Sequence, residues 1–147
     1  MSLKDWEERN KWLVPHRTTK MEIADMFEVG DRDLRDSRVE GLSADARLIH
    51  AYSAALQFAS AALAASGYRP ARGGDHHVRI IQALALTIGW DAASVETLDG
   101  FRKKRNVSSY ERAGQVSDRT AREAELLAVR LRVEVAAWLR RTHPELL

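Results

Sequence analysis

Between Arg47 and Arg69 the chain runs through 21 residues without one charged side chain, and this stretch limits what the whole can become. Its length meets the criterion for a membrane span, because about 20 apolar residues cross a bilayer. Its content argues against one. The stretch is mostly alanine, with His50, Gln57, three serines and few large aliphatics, so transfer into lipid would be barely favourable. An Ala-rich helix packed closely among other helices accounts for it better. Ser43 is a good N-cap for that helix, Gly67 suits the left-handed position after its end, and Leu48, Tyr52, Leu56, Ala59 and Leu63 form its seam.

The remaining chain divides into further helical pieces. Leu3 to Val14 places Leu3, Trp6, Asn10 and Leu13 on one side and stops at Pro15. Thr19 and Glu22 match a capping box opening a helix that carries Ile23, Met26, Phe27 and Leu34 and reaches about Val39, with Gly30 inside it at some cost. Its outer face, Asp31 to Asp33 with Arg35 and Asp36, reads as a mixed-sign solvated surface. Residues 67 to 74 hold three glycines, Pro70 and two arginines, the clearest loop. Asp75 starts a helix ending at Gly89, Asp91 or Ser94 starts the next, and Ser117 to Arg141 is a long helix closed by His143 and Pro144. No window alternates with period two, so the expected fold is all-α: an up-and-down bundle of four to five main helices plus a short N-terminal helix. One domain spans 1–147, with 1–16 as an N-terminal helical extension.

The absence of cysteine excludes disulfide scaffolds, thiolate metal sites and cysteine nucleophiles, and makes a reducing cytoplasm the natural compartment. Nucleophile elbows, phosphate-cradling glycine loops and helical zinc-protease motifs are absent too, and no cofactor is implied. Adjacent His76 and His77 diverge by about 100° on a helix, so one packs and one is exposed rather than both holding one metal; no metal is assigned. The glycines before them, with Arg69 and Arg72, could instead make an anion-binding helix start. His50, in the Ala-rich seam, reads as a hydrogen-bonded core histidine.

Charge is unevenly spread. Residues 1–50 hold nine basic and eleven acidic side chains, whereas residues 102–112 alone hold five basic and one acidic. This basic run begins Phe101-Arg102-Lys103-Lys104-Arg105-Asn106 and reaches Tyr110. Arg102 and Arg105 or Asn106 lie one turn apart, and two guanidinium groups on one helix face suit a phosphate. A basic last turn complementing the helix dipole is the plainer alternative.

Taken in order, Ala51 to Leu56, the Ala-rich continuation to Tyr68 and Arg69, the loop into His76 and His77, and the Arg102–Tyr110 segment resemble the HEPN superfamily of small helical bundles, most closely its stand-alone bacterial members. The resemblance implies a homodimer in which the arginine motif of each subunit faces its mate. It implies RNA or nucleotide binding, metal-independent ribonuclease activity in many members, and in several a toxin paired with a nucleotidyltransferase antitoxin, here supplied in trans. The family's active motif is an arginine, a polar residue and, after a short gap, a histidine. Arg105 and Asn106 match its first part; Tyr110 stands where the histidine is expected, and no histidine occurs between Arg102 and His143.

Histidine suits removal of a ribose 2′-hydroxyl proton because its pKa lies near neutrality, whereas tyrosine titrates near 10. The expectation is therefore a cytoplasmic homodimer that binds RNA or a nucleotide through Arg102, Lys103, Arg105 and His77. Arg105, Asn106 and Tyr110 form the catalytic motif, with ribonuclease activity weak or absent. The alternative is a non-catalytic interaction module using the same basic motif at a dimer or partner interface.

Overall fold

A computed structural model describes the backbone at residues 1–110 and 114–147 and the side chains at 1–107 and 114–147. The fold is an all-α bundle. Its helices are α1 (Leu3–Glu8), α2 (Lys20–Ser37), α3 (Ala44–Ala65), α4 (His76–Ala83), α5 (Ala92–Tyr110) and α6 (Asp118–Thr142). A 3-10 turn at Pro144–Leu146 follows α6.

The Ala-rich helix is α3, and it lies at the centre. Ser43 caps it through the amide of Ala46 at 3.1 Å, and Gly67 follows it at φ 95°. Alanines 51, 54, 55, 59, 61 and 62 are as buried as Leu48, Tyr52, Phe58 and Leu63, so the helix is covered on nearly every side. Among the described residues it is also the one helix long and apolar enough to cross a membrane. Here that apolar surface meets Ile23 and Leu34 of α2 and Ala128, Leu131 and Val135 of α6 in one core.

Small side chains let α2 come close. An added Cβ at Gly30 would lie 2.5 Å from Cε1 of Phe58, whose ring is fully buried and packs against Phe27 at 5.4 Å between centroids. The glycine inside a helix is thus explained by what it touches.

Besides α4, which ends at Ala83 rather than Gly89, three local expectations change. The first helix ends at Glu8 rather than Val14, because Lys11 takes φ 60° and reverses the chain. Leu13–Pro15 then forms a strand, β1, antiparallel to β2 (Tyr68–Pro70), with Val14 opposite Arg69. Part of the 1–16 extension, and of the loop at 67–74, is therefore a small ladder. Trp12 meets Trp6 edge-on at 5.4 Å, and Arg79 of α4 lies over Trp12 at 3.5 Å, so this segment supports the start of α4.

The second change concerns the capping box. Thr19 accepts from the amide of Glu22 at 3.1 Å, but the Glu22 carboxylate does not reach back; it accepts from Thr18 at 2.7 Å and contacts His16 at 2.6 Å. Third, the charged face of α2 is only partly solvated. Asp33 is 8% exposed, and Asp31 accepts two hydrogen bonds from Arg132 of α6 at 2.5 and 2.9 Å.

The start of α5 is fixed to α6 by polar contacts. Asp91 accepts from the Ser94 amide at 3.0 Å, Arg130 donates to Ser94 Oγ at 2.8 Å and to Asp91 at 3.2 Å, and Trp90 Nε1 donates to Glu134 at 3.0 Å. This holds the helix that carries the basic run.

Candidate functional site

Three helices meet at the basic run. Phe101 is buried and anchors α5, which turns Arg102 and Arg105 toward Tyr52 of α3 and His77 of α4. The Tyr52 hydroxyl is 3.3 Å from Nδ1 of His77, and the Arg105 guanidinium lies 5.8 Å from the centre of the Tyr52 ring. Arg105 also donates to Oδ1 of Asn106 at 3.1 Å. Arg102 donates to Asp99 at 2.7 Å, an intrahelical pair one turn apart whose arginine side chain is only 19% exposed.

The expected residues divide. Arg102, Arg105, Asn106 and His77 are brought together. Lys103 is 70% exposed, reaches the other Asp99 oxygen at 3.6 Å, and lines a separate cavity of about 280 Å³ with Lys104, Val107 and residues 115–117. It belongs to the edge of the site rather than its centre. The backbone of Tyr110 ends α5, but its side chain lies outside the described residues.

Two members were not anticipated. Tyr52 was legible only as a seam residue, yet its hydroxyl is what reaches His77. Asp99 carried a signal, standing three residues before Arg102 and four before Lys103, the spacings at which helical ion pairs form. The histidine pair behaves as its 100° divergence implies: His76 is exposed, His77 is half-buried, and their rings meet edge-on at 4.9 Å. His50 differs from expectation, being half-buried and without a hydrogen bond among the described residues.

Electrostatics follow from this packing. Burial raises Tyr52 to about 12 against the pull of Arg105 and Arg102, so its hydroxyl keeps its proton. Burial lowers His77, and the neighbouring His76, Arg105 and Arg102 add to that, which favours the neutral imidazole. Asp99 is raised by burial but lowered more by the hydrogen bond and charge of Arg102 and by Lys103, and stays ionised. If Tyr52 donates to Nδ1, the ring proton sits on Nε2 as a donor; in the other tautomer Nε2 is a lone pair able to accept a proton. The site therefore offers two guanidinium groups, an amide and a neutral imidazole, a set that binds an oxyanion.

The lowered His77 has a measurable consequence. Its pKa is below 6.5 in the folded chain, so the unfolded chain takes up the proton first as pH falls. The stability it contributes is present above pH 6.5 and is lost as pH drops toward the folded value. His77→Gln should show a smaller fall in melting temperature between pH 7.5 and 5.5 than the wild type. Identical pH profiles would mean that His77 is not held neutral.

No family model, curated protein or solved structure matches this chain.

Proposed function

We propose that this chain is a HEPN-type protein that binds RNA or a nucleotide as a homodimer, gripping phosphate with Arg102, Arg105 and Asn106 beside His77. Ribonuclease activity is weak or absent, and the setting is cytoplasmic, with a toxin–antitoxin or stress role and a nucleotidyltransferase partner in trans. One observation carries the reading: residues from three helices, far apart in sequence, place an imidazole and two arginines around one buried tyrosine. A basic last turn that only complements a helix dipole needs none of these partners.

The Arg102–Asp99 pair favours a second reading, an interaction module without catalysis. An arginine already matched to a carboxylate suits a protein interface as well as a phosphate.

Fluorescence anisotropy with a labelled single-stranded RNA separates the two. A hydrogen bond to a charged group contributes roughly 1.5–3 kcal/mol, so Arg105→Ala should weaken RNA binding by about 10- to 150-fold. Arg102→Ala should act in the same direction. Each should reduce the salt dependence by about one phosphate contact. Wild-type protein that binds no RNA, or variants that bind as well as wild type, would rule out the RNA reading.

A further inference from the structure

On the opposite side of α3, a second polar cluster forms. His50 and Tyr52 are two residues apart, so they leave the helix about 200° from one another, and His50 faces α2. There Asp33 and Asp36 stand three residues apart on one face of α2. One ligand atom from each of Asp33, Asp36 and His50 lies within 4.8 Å of the other two.

The surroundings do little to compensate this grouping. Asp33 is largely buried, its side chain 11% exposed, and has one oxygen 3.3 Å from Arg32. Asp36 and His50 are half-buried, and among the described residues neither has a hydrogen bond or ion pair. Two carboxylates are drawn together between helices with one arginine on one of them, beside an imidazole that bonds to neither.

We propose that Asp33, Asp36 and His50 bind a divalent transition-metal ion between α2 and α3. An imidazole with two carboxylates is a donor set for zinc and its neighbours in the first transition series, whereas magnesium and calcium favour all-oxygen shells. Zinc bonds of about 2.0–2.2 Å set ligand atoms roughly 3.4 Å apart in a tetrahedron, so a cluster whose atoms lie within 4.8 Å closes by up to about 1.4 Å on binding. Asp36 and His50, being half-buried, have room to make that movement. Three protein ligands leave a position for water or an added ligand. Because the ligands come from both helices, the ion clamps α2 to α3 and stands apart from the arginine site.

The test is zinc titration of the full-length chain by calorimetry, with cobalt(II) as a spectroscopic probe. One ion per chain is expected, with visible cobalt bands of a four- or five-coordinate site. Even outer-shell partners change metal affinity 10- to 100-fold, so His50→Gln and Asp36→Asn should each weaken binding at least about tenfold. Zinc at a hundred times its Kd should raise the wild-type melting temperature by roughly 5–10 °C and leave that of His50→Gln nearly unmoved. Two half-buried positions are tested separately, so misfolding of one variant leaves the other decisive. Binding unchanged in both variants, loss in His76→Gln instead, or no zinc heat and no cobalt bands at millimolar metal would each overturn the proposal.

Discussion

Phe58→Ala should cost about 3–5 kcal/mol of stability, because a fully buried aromatic ring leaves a cavity that its surroundings fill only in part. The diagnostic result comes from pairing it with Gly30. In the wild-type background, Gly30→Ala drives a methyl group to 2.5 Å from the Phe58 ring. Overpacking of that kind costs about 1–3 kcal/mol, against roughly 1 kcal/mol recovered from alanine's better helix propensity. Without the ring, the same methyl group has space, and only the propensity gain remains. Gly30→Ala should therefore be neutral to destabilising alone and stabilising in Phe58→Ala, a change that denaturant titration of the four proteins reads directly. Additive effects would mean that the two helices can separate at this point without penalty.

Tyr52 should give the other large effect, and its two halves can be measured apart. The ring is 1% exposed within the core, so Tyr52→Ala should cost about 3–5 kcal/mol through lost packing, much as for phenylalanine. Tyr52→Phe keeps the ring and removes only the contact with His77, for about 0.5–1.5 kcal/mol. It should also free His77 to choose its tautomer, visible as a shift of the ring nitrogen resonances, while the fold persists. If Tyr52→Phe destabilises as much as Tyr52→Ala, the hydroxyl matters more than the ring and the packing account fails.

Much of the architecture was legible because helix punctuation is local. Ser43, Gly67, Asp91 and Ser117 act within one turn of themselves, and they mark helix ends at the expected places. The N-terminal segment misled because Leu3, Trp6, Asn10 and Leu13 repeat at helical spacing, whereas its outcome depends on a partner 55 residues away, with Val14 opposite Arg69. Pairing across such a distance leaves no periodic signal in a three-residue strand. The arginine motif was visible as composition, and its division into Arg102 and Arg105 on one side and Lys103 and Lys104 toward another cavity follows from helical angle. Tyr52 as a partner of His77 required knowing that α3 and α4 meet, which is information of packing and not of spacing. The Asp33–Asp36–His50 grouping was hidden for the same reason: each residue reads as ordinary in its own helix.

The ladder between Leu13–Pro15 and Tyr68–Pro70 also bears on the order of events in this chain. Helices α2 and α3 are neighbours in sequence and can pair across a six-residue connection, 38–43, while the ladder must close a loop several times longer at greater entropic cost. Only three residue pairs and two flanking bonds, His16 to Gly67 and Ala71 to Trp12, reward that closure. It is a small interface, and its opening would release the Arg79–Trp12 stack beside α4. Local opening of the ladder is expected to appear as early exchange of the Ala71 amide, which bonds to Trp12, while α3 stays protected.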